Sequence, residues 1–516
     1  MVAPHRTFPL IRPGGFGYHF DMESKGSPPH SHRTGPARRV VVAGGGLAGC
    51  AAAFSLARAL GPGTVTLLEA RTVTGGRARS FTDPTSGEIL DNCQHLMMGC
   101  CVNLRQFTDA LGSANALGLA NAWTRQPYLT FATPDGARSR FYAANLPSPL
   151  HLAAGFARLH TLSMGGKISV ARAILALVSR GAELPDEPLP AWLARHSQGE
   201  RECRAFWEPV LVSALNDRMD RLGISAARQF FVEAFLGGKS AFDVWLPSRP
   251  LWLIFGAEMR RALEQAGVIV RTDCAVRKIE DLGNGNWSVV TRNGDRLESD
   301  HLVLATPHKI SWELLHHAGI RTEEGPAGQG NGGWSEKLGL SSITAIHLWF
   351  NRRFLPLEHA ALVGGLGHWV FRKTWAGPED PYCQVLISAS DHLLMKSADS
   401  LIQQAASELF RFFPESNPNT PRAQLIRGRV VREKNATFRQ TPGMDLWRPG
   451  NRLSRKNITL AGDYTRTGWP ATMEGAVRSG LLASHDCLES MGLPPSMGMP
   501  VWEPKHNWFQ RLLTGR

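Results

Sequence analysis

Residues 40–50, VVVAGGGLAGC, followed at 67–80 by LLEARTVTGGRARS, constrain this chain more than any other feature. The first run reads as an apolar strand, a glycine turn and the start of an Ala- and Leu-rich helix; the second opens as a strand that ends in an acid. Gly44, Gly46 and Gly49 stand in G-x-G-x-x-G order, and each spacing has a steric reason. The first allows a tight turn, the second close approach of backbone to a pyrophosphate, the third close packing of helix on sheet. Phosphates held there face the helix N-terminus at Leu47 and Ala48, where free N–H groups and the dipole favour negative charge. Glu69 follows the apolar run 64–68, placed to accept both hydroxyls of a ribose and to disfavour a 2′-phosphate. A βαβ dinucleotide site is therefore expected, and NADP is not expected in it.

A chain of 516 residues that is 43% hydrophobic can bury a large core, and its length suggests two or three domains, interleaved rather than beaded. The net charge of +13 comes from scattered arginines with no Lys/Arg block and no aromatic-basic motif, so nucleic acid is not an expected partner. A solvated basic surface accounts for the charge; attraction to anionic lipid becomes relevant if the substrate is itself a lipid. Eight cysteines without CxxC spacing give neither a disulfide scaffold nor a zinc site, so no metal is expected and the thiols read as reduced, in a cytoplasmic protein. Residues 1–37, rich in Pro, Gly, His and Arg, read as a disordered leader. Arg38-Arg39 before an apolar run resembles a twin-arginine signal, but the three glycines fit a phosphate turn better. No stretch of 18 or more uncharged apolar residues is present, so no membrane span is expected.

Further along, YLTFAT and SRFYA read as strands, whereas residues 146–240 show helical periodicity with Arg and Lys set among Leu, Ala and Ile. That region reads either as helices packed on the core or as a cap with a basic, apolar face resting on a membrane. Residues 267–306 return to strands, with a hairpin at Asn293-Gly294-Asp295. The runs ITAIHLWF, HWVFRK and CQVLISAS predict a second sheet, followed by a helix over about 397–413. NITLAGDYTRTGWPATMEGAVRSGLLAS predicts a strand, a turn and a helix that rejoin the first domain. The tail PVWEPKHNWFQRLLTGR reads as an interfacial anchor or a docked terminal segment.

Taken together, VVVAGGGLAGCAAAFSLA, LLEARTVTGGRARSF, LVLATP and LAGDYTRTGWPATMEGAVRSG resemble the FAD-dependent amine oxidase and phytoene desaturase superfamily. DNCQHLMMGCCVNL, WEPVLVSALND and REKNATFRQTPG look most like its squalene-associated desaturases, the hydroxysqualene dehydroxylases of hopanoid-type pathways. The resemblance implies an α/β fold: a Rossmann-like FAD-binding domain (38–110, 265–310 and 450–490), an interleaved mixed-sheet substrate domain (111–145 and 311–449), a helical insertion (146–264) and a tail (491–516). It implies that Gly44, Gly46, Leu47, Ala48 and Gly49 hold the FAD pyrophosphate, and that Glu69, with Ala70 and Arg71, meets the adenosine ribose. Gly75, Gly76 and Arg77 would reach the phosphate and flavin edge, the alternative for Arg77 being a surface salt bridge. Val276 would meet the adenine, Gly462 and Asp463 the ribityl and phosphate oxygens, and Met473 would start a helix facing the flavin C2 carbonyl, where its dipole favours the reduced anion.

Two departures narrow the activity. Thr472 stands where amine oxidases commonly carry an aromatic of the amine cage, and no cysteine lies in 461–480, so FAD is expected to be non-covalent. Cys93 replaces the glycine usual in the D-N-G-Q-H segment, leaving Asp91, Gln94 and His95 in place. The implied activity is reductive dehydroxylation of a C30 isoprenoid lipid, which needs a proton donor and a dry tunnel while the flavin carries the redox step. His95 and Asp91 are the candidate donors, or else structural hydrogen-bonding groups; Asn216 and Asp217 are weaker candidates that fit helix capping better. Trp207, Phe242, Trp245, Trp349, Phe350 and Trp369 are candidates for the tunnel wall or for ordinary core. Alternatives are an oxidative carotenoid or squalene-type desaturase, an amine oxidase, and a non-catalytic prenyl-binding escort. An external electron donor, and a cytoplasmic location with peripheral contact at the inner face of the membrane, complete the expectation.

Overall fold

The computed structural model describes residues 38–113, 121–179, 187–283, 285–320, 333–415, 422–506 and 508–514; the expected leader, 1–37, lies outside them. The glycine turn joins strand β1 (Val40–Ala43) to helix α1 (Leu47–Leu60), and β2 (Val65–Leu68) follows. From far along the chain come β3 (Ile269–Arg271), β4 (His301–Leu304) and β5 (Ile458–Leu460), and then helix α2 (Met473–Ser490). These strands form one parallel sheet in the order β3-β2-β1-β4-β5, with Val40 paired to both Val65 and His301. The order reverses between β1 and β4, and ligands of open α/β sheets bind in the crevice at such a switch point. Every residue of β1 is buried, as a central parallel strand covered on both faces requires.

Between β3 and β4 the chain makes an antiparallel excursion of three strands, Val276–Asp281, Trp287–Thr291 and Arg296–Ser299, the last two joined at Asn293-Gly294-Asp295. A second, seven-stranded sheet runs Leu425–Thr437, Ser341–Phe350, Tyr382–Ser388, Trp369–Phe371, His359–Leu362, Tyr128–Ala132, Arg138–Tyr142. Its pairs are antiparallel except for His359–Leu362 beside Tyr128–Ala132. Helix Ala398–Phe412 covers one face, burying Leu401 and Leu409 against Ile346, Leu348, Val385 and Ile387. The opposite face meets the helices of 153–235, whose aromatic core joins Phe206, Trp207, Phe231, Phe235 and Phe242 to Phe371 of the sheet and to Trp469. Val244–Pro247 within the stretch expected to be helical is a strand, paired to Met97–Met98 and Trp123–Gln126. Among the described residues no helix is long and apolar enough to cross a membrane.

Candidate functional site

Two of the phosphate-turn glycines, Gly44 and Gly49, stand where no side chain fits. Gly44 has φ +113°, and a Cβ there would lie 2.4 Å from the Ala305 carbonyl oxygen at the end of β4. A Cβ on Gly49 would lie 1.9 Å from the Gly44 oxygen, so α1 can press onto the turn only with glycine at that place. Gly46 is the N-cap of α1, no side chain caps the helix and no acid lies in its first turn, which leaves the N–H end at Leu47 and Ala48 to an anion. The 74–77 segment folds back over this end: Gly75 N–H donates to the Gly45 carbonyl at 2.8 Å, and Gly46 and Gly75 form a parallel bridge.

Glu69 is buried at the tip of β2, accepting from the Gly45 N–H at 2.7 Å and the Arg71 N–H at 2.9 Å. Those bonds fix the carboxylate and leave lone pairs for further donors such as ribose hydroxyls. Ala70 and Arg71 are exposed beside it, with the Arg71 guanidinium on the Gly76 carbonyl at 2.9 Å. The Cys274 N–H donates to the Glu69 carbonyl at 2.8 Å, which brings half-buried Val276, two residues on, to the same edge.

The other half of the site comes from the C-terminal region. Arg77, half-exposed, reaches the buried Asp463 carboxylate at 2.5 Å and the Ala436 carbonyl at 2.7 Å. Burial works against the Arg77 charge, and Asp463 more than restores it. Gly462 N–H donates to Ser479 Oγ of α2 at 2.9 Å, so the turn after β5 is pinned to the helix that follows. Met473 is the first residue of α2, half-buried, and Thr472 is its N-cap, accepting from the Gly475 N–H at 3.1 Å. A threonine where a cage aromatic would stand thus serves the helix, as its hydroxyl can and an aromatic ring cannot.

Asp91 is 7% exposed; its Oδ1 accepts from Ser80 Oγ at 2.5 Å and the Leu251 N–H at 3.0 Å, while Oδ2 has no partner. Burial raises its carboxyl to about 6, against opposing pulls from those two bonds and from Lys373. Next along, Asn92 donates to the Arg77 carbonyl at 2.8 Å, tying this segment to the cofactor half. Burial, and to a lesser extent Arg77, holds the half-buried His95 imidazole below its ordinary range, and its Nδ1 is 2.9 Å from the Cys93 carbonyl. Gln94 is half-buried, its amide 3.4 Å from the His95 carbonyl. Cys93 is not among the non-glycine residues with positive φ, so its departure from glycine needs no strained backbone.

Alternation along strand Ser341–Phe350 sends Trp349 and Phe350 to opposite faces, so both cannot line one tunnel. Phe350 is buried against helix Ala398–Phe412, and Trp349 packs with Leu90 and Tyr382 under the Arg427 guanidinium, 3.7 Å away. Trp207 is core, its indole N–H on Gln198 at 2.9 Å; Trp245 packs on the α1 side, and Phe242 and Trp369 belong to the aromatic core. Asn216 ends helix Glu208–Leu215 in the left-handed conformation, and its side chain bridges the Ala389 N–H and Thr437 Oγ1. Asp217 accepts from Arg439 at 3.0 Å. Both tie the helical region to the second sheet.

Two residues that no sequence pattern singles out hold the site's frame. Arg448, 2% exposed, donates to the carbonyls of Asp463, Tyr464 and Thr465 and so fixes the turn after β5. Glu474, fully buried, accepts the N–H groups of Asn103 and Leu104 and locks α2 to the N-terminus of helix Val102–Ser113. An N–H-rich turn, a fixed acid at the ribose position and an Arg–Asp pair facing it suit the donors and acceptors of FAD, so these residues fit that group.

The family model described as flavin containing amine oxidoreductase matches residues 47–488. Among similar proteins, hydroxysqualene dehydroxylase of Rhodopseudomonas palustris is 27% identical over 452 residues, 86% of this chain and 96% of that protein. The 15-cis-phytoene desaturase of Solanum lycopersicum is 26% identical over 475 residues, 88% of this chain and 78% of that protein. Among solved structures, cyclohexylamine oxidase from Brevibacterium oxydans shares the fold, with a TM-score of 0.61 and 16% identity, covering 89% of this chain and 100% of that one.

Proposed function

The chain belongs to the flavin-containing amine oxidoreductase family and is a FAD-dependent oxidoreductase; on that premise we propose that it reductively dehydroxylates hydroxysqualene to squalene. The observation that carries this reading is Asp91, a buried carboxyl raised to about 6 with Oδ2 unpartnered. Loss of water from an allylic alcohol requires a proton on the departing hydroxyl, and a carboxyl held protonated well above its ordinary range can deliver one. An oxidative desaturation has no departing hydroxyl to protonate. His95, kept neutral by burial, bonds the Cys93 carbonyl through Nδ1 and helps to hold the 93–95 segment in shape.

Glu69, Arg77 and Asp463, with the glycine turn and the Val276 edge, hold FAD without a covalent bond. When bound in its reduced form, FAD supplies the hydride that the allylic cation takes up. The chain's own part is to bind and orient the C30 isoprenoid, to donate the proton from Asp91, and to keep water out of the site. A separate donor reduces the flavin, and the protein works from the cytoplasm at the inner face of the membrane, where its substrate dissolves.

Purified protein is incubated with hydroxysqualene and reduced flavin, and in parallel with phytoene and an electron acceptor, with products read by mass spectrometry. Squalene in the first mixture alone is the expected result. Desaturated carotenoid in the second alone overturns the proposal and favours the desaturase reading, which the match to phytoene desaturases keeps in view. Flavin that stays with the acid-precipitated chain rules out non-covalent binding.

A further inference from the structure

Helix Met164–Val178 has an unusual outer face. Its inward positions Val170, Ala173, Ile174 and Leu177 follow helical spacing into the aromatic core, as an amphipathic helix requires. The outward positions should then be polar, yet Met164 is 67% exposed, Ile168 58% and Leu175 42%. The chain just before it adds Leu146, 51% exposed, and Leu150, 58% exposed. Five large aliphatic side chains within thirty residues thus stand in solvent.

The charge carried by this stretch of chain is basic. From 136 to 182 the sequence contains no Asp or Glu but carries Arg138, Arg140, Arg158, Lys167, Arg172 and Arg180. Arg158 and Arg172 are exposed, and Lys167 donates to the Ala157 carbonyl at 2.7 Å, which holds its charge at the edge of the aliphatic stripe. Of the nearest acids, Glu200 pairs with Arg204 and Glu202 accepts from the Gly199 N–H. Arg228 donates to both the Val178 and Thr514 carbonyls, bringing the end of helix Trp508–Thr514, where Leu512 is exposed, to the C-terminal end of the same helix.

We propose that Leu146, Leu150 and the Met164–Ile168–Leu175 face form the surface by which this protein docks on an anionic lipid bilayer, aliphatic side chains entering the acyl boundary and Arg158, Lys167 and Arg172 meeting the headgroups. Aliphatic insertion ringed by cations is the complement of a negatively charged bilayer surface and of little else in water. The buried side of the same helix belongs to the core that contains Phe242, Trp369 and Trp469, so the docked face lies over the apolar interior. The inference deepens the reading of a lipid substrate, and its readout is independent of that chemistry.

The flavin-loaded protein is sedimented with vesicles of phosphatidylcholine alone and with about 30 mol% phosphatidylglycerol. Binding to the anionic vesicles that weakens with salt is expected, reduced about tenfold or more in I168D/L175D and unchanged in M395D, an exposed methionine elsewhere. Flavin content and melting temperature confirm that both variants are folded. Absence of wild-type binding, or equal binding by I168D/L175D, overturns the assignment. A lipid-free dimer that I168D/L175D dissolves replaces the bilayer with a second copy as the occupant. Vesicle binding without squalene formation leaves the docking surface standing and sinks the substrate reading instead.

Discussion

Replacing Asp91 with asparagine should raise the protein's stability relative to wild type as the pH goes from acid to alkaline. The buried carboxyl sits at about 6 in the folded chain against an ordinary 3.8. A displacement of about 2 pH units upward, at about 1.4 kcal/mol per unit, makes the ionised group cost about 3 kcal/mol. Because the folded-state value is the higher one, the carboxyl's contribution is fully present below 3.8 and is lost as the pH rises through 6. Asparagine keeps an acceptor for Ser80 and the Leu251 N–H and never ionises. The stability of D91N relative to wild type should therefore rise by ~2 kcal/mol between about pH 4.5 and 8, whatever constant offset the new amide adds. With an unfolding entropy of about 2 cal/mol/K per residue over roughly 480 residues, that is a relative gain of about 2 °C in melting temperature. Melting curves of both proteins at the two pH values, followed by circular dichroism, measure it. A difference that does not change with pH, or that changes in the opposite direction, refutes the placement of a protonatable Asp91 in a dry site. In the same pair, D91N should lose roughly a hundredfold or more in squalene formation, and the wild-type rate should fall above about pH 6.

Gly49→Ala places a methyl 1.9 Å from the Gly44 oxygen, while α1 cannot retreat because Gly480 of α2 already lies tight against the Ala48 carbonyl. The turn must open, so FAD content after gel filtration should drop about tenfold with ~1–3 kcal/mol of stability lost; a fully loaded variant would show that the turn tolerates a Cβ. Arg448→Met removes the donor from the carbonyls of Asp463, Tyr464 and Thr465. A loss of about 3–5 kcal/mol, read as a similar number of degrees in melting temperature, is expected together with weaker FAD retention; an unchanged melt excludes Arg448 as the brace of that turn.

The cofactor half of the molecule was written locally. A glycine pattern, a strand on either side and Glu69 at the strand's end are short-range features, and the turn at 44–49 and the helix at 473 stand where the residues indicate. Thr472 carries two local signals at once: it stands where a cage aromatic is expected, and its hydroxyl caps the helix that follows. Trp349 and Phe350 are the opposite case, because composition makes both candidates for an apolar wall and only strand alternation against a covering helix separates them. Arg448 and Glu474 carry no signal in the sequence, since their partners lie at carbonyls and N–H groups that no side-chain pattern reveals.

The sequence by itself determined that a dinucleotide turn exists, that an acid follows it and that a matching glycine–aspartate motif lies near the other end of the chain, because backbone sterics and phosphate recognition depend on a few adjacent residues. Tertiary structure alone decided that Arg77 meets Asp463 across 386 positions, that burial raises the Asp91 carboxyl above its ordinary range, and that an aliphatic helix face is left in solvent. Each of these depends on what the rest of the chain buries or leaves open, and burial is a property of the folded whole rather than of any segment.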